Sequence, residues 1–329
     1  MLKLKYLFEN NELAKECLKF YFYDEDSVDE MLKWFRISSN AVYPFCTEDK
    51  SNVCFLRLSP VEEKNHVDVE SEIRFIDWLC INGYPAMKPY PMKDGRLSSI
   101  INTEWGTYNV SCFEAVPGEN LEDTEGNLDL SFGYGKALGE LHLLSEKYPY
   151  AKERRSYEEL LAEIEDRLER YQAPETVKSH FRKVSNRLNN LVKDDKTFGL
   201  IHYDFEPDNV LFEEKSGKFG VIDFDDAIRC WYALDVVRAL DAMDDMVSEE
   251  MVEEAVCSFM KGYRSIKNFS DDQWYTMSLM RELVHLQEYS TILYVLSESV
   301  DDEPDWMISL TGRLKEKLVS IEQNIECYR

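Results

Sequence analysis

His202, Asp204, Asn209 and Asp223 combine residue types and spacing that suit phosphoryl transfer. The stretch Ile201-His202-Tyr203-Asp204-Phe205-Glu206-Pro207-Asp208-Asn209 leads into a short apolar run, Val210-Leu211-Phe212. A second run, Phe219-Gly220-Val221-Ile222, ends at Asp223-Phe224-Asp225. Lys215-Ser216-Gly217-Lys218 between them is turn-like, so the two runs read as a hairpin. A hairpin returns the chain to its start, which sets Asn209 beside Asp223. Phosphoryl transfer asks little covalent help of a protein; it needs an oriented hydroxyl and divalent metal to offset the phosphate charge. Asp204 is the candidate to accept the hydroxyl proton. Asn209 and Asp223 are the candidates to offer the hard oxygen ligands that Mg2+ prefers. Each residue alone would pass for a turn former, and the argument rests on all of them at hairpin spacing.

The pattern resembles the aminoglycoside phosphotransferase and choline kinase superfamily, small-molecule relatives of protein kinases. Protein kinases themselves carry His-Arg-Asp and Asp-Phe-Gly, whereas here Tyr203 stands between His and Asp, and Asp225 takes the Gly position. The similarity continues through Trp231-Tyr232-Ala233-Leu234-Asp235-Val236-Val237-Arg238-Ala239-Leu240. It implies an α+β, protein-kinase-like, two-lobed fold. A small N-terminal antiparallel sheet lobe would span residues 1–116 and a larger, mainly helical lobe residues 117–329. It also implies transfer of the γ-phosphoryl group of ATP or GTP to a hydroxyl of a small molecule such as an aminoglycoside, an amino sugar or a choline-like amine. The alternative is a nucleotide-binding pseudokinase, or a spore-coat-type structural relative without turnover. By the resemblance His202 supports the catalytic loop and Asp235 braces it, although a helix N-terminal Asp favoured by the dipole would explain Asp235 equally well. Asp225 reads as a metal assistant or, preferably, as a loop cap.

Further toward the N-terminus, Asn52–Leu58 reads as a strand, and Val67–Ile81 reads as a helix ended by Asn82-Gly83-Tyr84-Pro85. Glu72 shares a helix face with Ile76 and Leu79, and a carboxylate on an apolar face needs a partner. Arg57 on the strand is the expected one, because an unpaired buried charge costs several kcal/mol. By the resemblance these two are the strand cation and helix Glu that position the α and β phosphates. The family's usual cation is Lys; Arg57 keeps the charge and can bind phosphate bidentately, with a different reach. The phosphate-covering segment, Ser38-Ser39-Asn40-Ala41-Val42-Tyr43, contains no glycine, so contacts fall to Ser38, Ser39 and backbone N–H groups. The apolar strand from Tyr108 to Gly118 is, by resemblance, the hinge where the backbone of Glu114 to Val116 meets the purine edge.

A net charge of −26 argues against nucleic acid and anionic membranes as partners, since phosphate contacts need clustered Lys and Arg. No apolar run reaches the roughly 18 residues that span a bilayer. The opening Met1–Glu9 lacks a signal-peptide core, so a cytoplasmic protein is expected. The eight cysteines form no C-x-x-C pair and read as small buried hydrophobes in a reducing compartment. His142 reads as a packed helix residue. Residues 241–305 hold sixteen Asp or Glu against four Lys or Arg, a balance of −12. That excess fits either a solubilising surface or a negative cleft that steers a cationic acceptor. Amphipathic helices are expected between Tyr157 and Leu191, broken at Pro174, and again beyond Asp241. Tyr289 and Trp306 are either core aromatics or cation–π contacts for a quaternary amine.

Overall fold

The computed structural model describes residues 9–38, 40–297 and 304–328. Its first part runs α1 (Asn11–Leu18), α2 (Val28–Met31), β1 (Arg36–Ile37), β2 (Ala41–Cys46), β3 (Val53–Pro60), α3 (His66–Ile81), β4 (Ser98–Thr103) and β5 (Gly106–Glu114). The strands form one antiparallel sheet in the order β1-β2-β3-β5-β4. Alternation along β3 explains its two faces. Cys54, Leu56 and Leu58 join Tyr43, Phe45, Val110, Cys112 and the apolar side of α1 in one core. Phe55 and Arg57 therefore point the other way, toward the second lobe. Asn65 starts α3 by accepting Val67 N–H on its side chain, which satisfies an otherwise orphaned donor. Val69, Ile73, Ile76 and Leu79 on this helix belong to the larger core of the second lobe, so α3 ties the two together.

The second part runs β6 (Glu119–Asn120), α4 (Leu128–Ser145), α5 (Tyr157–Arg170), α6 (Glu175–Asn189), β7 (Phe198–Ile201), β8 (Val210–Glu213), β9 (Lys218–Val221), β10 (Ile228–Trp231), α7 (Ala233–Asp241), α8 (Val252–Arg264), α9 (Asp271–Val295) and α10 (Asp305–Cys327). β6, β8 and β9 form a small antiparallel sheet, and β7 pairs with β10. Helices α4 and α8 cross at backbone contact: a Cβ on Gly135 would lie 2.0 Å from Phe259 O, and one on Gly262 would lie 1.9 Å from Phe132 O. That crossing fixes α4, whose Tyr134 and His142 face the catalytic segment.

The expected helices over 157–191 are α5 and α6, with Pro174 between them, and the chain beyond Asp241 is helical as its periodicity requires. The hinge strand ends at Glu114 rather than at Gly118. Gly118 then turns the chain with φ +119°, where a Cβ would strike the Phe212 backbone. All eight cysteines are free. Cys17, Cys54, Cys112 and Cys230 are buried as expected, but Cys257 and Cys327 are exposed on the outer faces of α8 and α10. Among the described residues no helix is long and apolar enough to cross a membrane.

Candidate active site

The segment from His202 to Asn209 links β7 to β8, and its shape is imposed by α4 and α7. Asp235, in the first turn of α7, accepts three hydrogen bonds: from His202 N–H (2.8 Å), Tyr203 N–H (2.7 Å) and His142 Nε2–H (3.0 Å). Tyr203 has a φ of +78°, a costly conformation for a bulky side chain that persists where surroundings over-determine it. His202 Nε2–H donates to Ile222 O (2.9 Å), and Tyr134 OH donates to Phe205 O (2.6 Å) with the two rings stacked. Asp235 is thus a brace for this loop, beyond any favour it gains from the helix dipole.

His142 is a packed residue with a defined state. Asp235 can only accept, so Nε2 carries the proton and Nδ1 accepts from Tyr263 OH at 2.8 Å. Burial holds its pKa below the ordinary 6.5 despite the Asp235 bond. The stability this contributes is fully present above pH 6.5 and is lost as pH falls toward the folded-state pKa, because the unfolded chain takes up a proton that the folded chain refuses. His142→Gln should therefore flatten the acid limb of urea midpoints measured between pH 7 and pH 5, by at most about 1.4 kcal/mol per pH unit. An unchanged slope would assign the acid sensitivity to other groups.

The β8–β9 hairpin pairs Val210 with Val221, and Ile222 N–H donates to Asn209 O at 3.0 Å. Asn209 and Asp223 are neighbours, as hairpin spacing requires. Asn209 Nδ2 donates to Asp204 Oδ2 and to Asp204 O, both at 3.0 Å, so its Oδ1 is turned away from Asp204. Asp223 takes the left-handed φ of +63°, which aims its carboxyl back into the interlobe cleft. Its pKa is pushed well up, first by burial and then by repulsion from Asp225, against the pull of Arg57. The pull of Arg57 does not offset the repulsion there, and with the Asn209 oxygen beside it the donor set suits a divalent cation.

Arg57 and Glu72 form a two-pronged ion pair, Nη1 to Oε1 and Nη2 to Oε2, each 2.7 Å. They are 5% and 1% exposed, and the guanidinium carbon lies 4.7 Å above the Phe113 ring. This is the strand–helix pairing expected from the position of Glu72 on α3.

Asp225 is not a loop cap. Its Oδ2 accepts from Lys64 Nζ and from Asn40 Nδ2 (2.7 Å), and Asn40 Oδ1 in turn accepts from Ser59 Oγ at 2.6 Å. Against the penalty of burial, Lys64 and then Arg57 hold the Asp225 carboxyl well below the usual carboxylate range. Arg154 completes the clasp: Nη2 donates to Asp225 O (3.1 Å), while Nη1 donates to Asp68 O (2.8 Å) and Ser71 Oγ (3.2 Å) on α3. The helix that carries Glu72 and the segment that carries Asp223 are therefore bolted to each other.

A cleft of about 450 Å³ between the lobes is lined by Ser38, Arg57, Glu114, Val116, Asn209 and Asp223 among others. Glu72 stands behind Arg57, and Ser39 lies outside the described residues. At the hinge, two backbone N–H groups are already engaged. Glu114 N–H donates to Lys88 O (2.8 Å), its carboxylate pairs with Lys88 Nζ (2.8 Å), and Ala115 N–H donates to Val53 O (2.9 Å). These bonds to the edge of the sheet leave Val116 as the expected hinge position with its backbone N–H uncommitted in that edge.

On the opposite side of Asp204, Glu206 Oε1 accepts from Arg238 Nη1 at 3.0 Å. Arg238 also lies over the Tyr203 ring (5.3 Å) and reaches Glu288 Oε1 on α9 at 3.5 Å. Burial, and next the charge on Asp204, push the Glu206 pKa up to about 7. Three carboxylates of the acidic C-terminal region are paired with arginines: Asp241 with Arg281, Glu282 with Arg187 and Glu288 with Arg238. Tyr289 is core, 2% exposed, with its OH on Glu322 Oε1 of α10 at 2.5 Å. That burial removes it as a cation–π contact, while Trp306 near the start of α10 is half-exposed.

Residues 38–267 match the family described as phosphotransferase enzyme family. The chain belongs to that family. This phosphotransferase is 23% identical over 334 aligned positions to amicoumacin kinase of Bacillus subtilis (strain 168), with 98% of this chain and 94% of that protein covered. A solved amicoumacin kinase in complex with AMP-PNP, Ca2+ and Ami superposes with a TM-score of 0.78 at 20% identity, covering 98% of this chain and 95% of that one. A microcompartment-associated aminopropanol kinase superposes with a TM-score of 0.70 at 20% identity, covering 97% of each chain. The protein-kinase-like α+β fold expected from the sequence is the fold of this phosphotransferase, a small-molecule kinase acting on a hydroxyl.

Proposed function

We propose that the protein transfers the γ-phosphoryl group of ATP to a hydroxyl of a small, amine-bearing acceptor in the presence of Mg2+. The observation that carries this reading is that Arg57, Asn209 and Asp223 line one cleft, with Asp204 bonded to Asn209 and Glu72 bonded to Arg57. Asp204 orients the acceptor hydroxyl and accepts its proton. The Oδ1 of Asn209 and the carboxylate of Asp223 hold Mg2+, which when bound offsets charge on the phosphates. Arg57 contacts the phosphates through the donors it does not commit to Glu72, and Glu72 keeps it aimed. Ser38 lies at the phosphate side of the cleft, and the backbone of Val116 meets the purine edge beside the Glu114–Lys88 pair. Residues 1–116 clamp the nucleotide and residues 117–329 present the acceptor.

An adenine donor is supported by the AMP-PNP held by the amicoumacin kinase relative, with GTP as the competitor. An amine on the acceptor is supported by the names of the relatives and by Glu206, an acidic side chain near Asp204 that is bonded to Arg238. Asp223→Ala should weaken Mg2+-dependent nucleotide binding by at least about 10–100-fold, the range that loss of mere supporting contacts around a metal produces. Calorimetric titration of AMP-PNP with and without Mg2+ measures it, and unchanged affinity would remove Asp223 from the metal site.

A further inference from the structure

The row of the sheet that contains Arg57 continues to a second guanidinium. Cross-strand register pairs Arg57 with Val42 and Val42 with Arg36, so all three side chains share one face. With strands about 4.8 Å apart, the Arg36 and Arg57 backbones stand about 10 Å from each other, on either side of Val42. Both residues line the interlobe cleft, with Asp208, Asn209 and Asp223 across from them. Arg57 has committed Nη1 and Nη2 to Glu72. Arg36 is exposed, and makes no hydrogen bond, ion pair or ring contact among the described residues. Its charge acts on Asp208 across the cleft, but no side chain holds it directly, which in a chain with 64 acidic side chains leaves an arginine open to a ligand.

The turn that follows Arg36 explains why a second cation is needed. Glycine-rich loops wrap phosphates with free backbone N–H groups. Here Ser38 N–H is taken by Asn40 O at 3.1 Å, and the Asn40 side chain is fixed between Asp225 and Ser59. With Ser38 N–H and the Asn40 side chain engaged and Arg57 partly tied to Glu72, a second side-chain cation in the cleft adds to what Mg2+ and Arg57 offer the phosphates.

We propose that Arg36 is a second phosphate-binding residue, bracketing with Arg57 the polyphosphate of a nucleoside triphosphate laid across Val42. This rests on the nucleotide reading of the cleft given above. A planar guanidinium suits phosphate because it offers two parallel N–H donors. The spacing of the two arginines matches a chain of linked phosphates rather than a single one.

Calorimetric titration of the full chain with ATP, ADP and AMP in Mg2+, on wild type, Arg36→Gln and Arg36→Lys, tests this. Arg36→Gln should bind ATP about 10–100-fold more weakly, the loss expected for one charge-assisted contact, with AMP affinity unchanged. Arg36→Lys should recover part of the loss, and KM for ATP should rise with a smaller change in kcat. An exposed side chain on a two-residue strand can be removed without unfolding the protein, which equal melting temperatures verify. Equal ATP affinity in wild type and Arg36→Gln, or an equal loss for AMP and ATP, overturns the assignment of Arg36 alone. Wild type that binds none of the three nucleotides overturns the nucleotide reading and this inference with it.

Discussion

Asp204→Asn should turn over about 10²–10⁴-fold more slowly than wild type, the range expected when a positioned general base is lost, while binding nucleotide with near wild-type affinity. Asparagine keeps the shape of the side chain, and its carbonyl oxygen can still accept from Asn209 Nδ2, the contact now made by Asp204 Oδ2 at 3.0 Å. What it loses is the ability to take a proton from the acceptor hydroxyl. The signature is an equal fall in kcat and in kcat/KM, because the missing interaction forms only in the transition state. A matching fall in nucleotide affinity would move Asp204 from the acceptor to the nucleotide or its metal.

Asp235→Ala should cause the largest loss of stability, on the order of 3–5 kcal/mol, since each orphaned buried donor costs about 1–3 kcal/mol. Three donors depend on this one carboxylate: two backbone N–H groups of the catalytic segment and His142 Nε2–H. One of them belongs to Tyr203, whose φ of +78° this bond helps to hold, so the segment should also relax and kcat should fall. Urea unfolding at pH 7.5 measures the first effect and steady-state kinetics the second. A loss below about 1 kcal/mol, the size of a helix-dipole contribution, would reduce Asp235 to its place at the N-terminus of α7.

The parts of this site that were legible in the sequence are those set by local geometry. A hairpin brings Asn209 to Asp223 because strand pairing fixes what stands opposite what. A carboxylate on the apolar face of a helix implied a nearby cation, and Arg57 on the preceding strand was within reach. Lys64, Asn40, Arg154 and Arg238 gave no such signal. Lys64 and Asn40 meet Asp225 across 161 and 185 positions, and Arg238 meets Glu288 across 50. No periodicity links residues this far apart in the chain, and so the sequence alone reads Asp225 as a loop cap. For Tyr289 the sequence left core aromatic and cation–π contact both open, because aromatic spacing on a helix does not say which side faces α10; its burial decides for the core. At the hinge, the sequence revealed an apolar strand but not that Lys88 and Val53 already occupy the donors of Glu114 and Ala115.

The central claim is most directly tested by the product. Purified protein with Mg2+ and either ATP or GTP would be incubated with amicoumacin, aminopropanol, ethanolamine, homoserine, choline, aminoglycosides and neutral sugars, and new phosphate esters would be read by phosphorus NMR. The account predicts one amine-bearing acceptor phosphorylated on a hydroxyl, ATP preferred, and no ester formed by Asp204→Asn. Nucleotide bound in the cleft with no ester from any acceptor, or an ester formed equally well by Asp204→Asn, would contradict it.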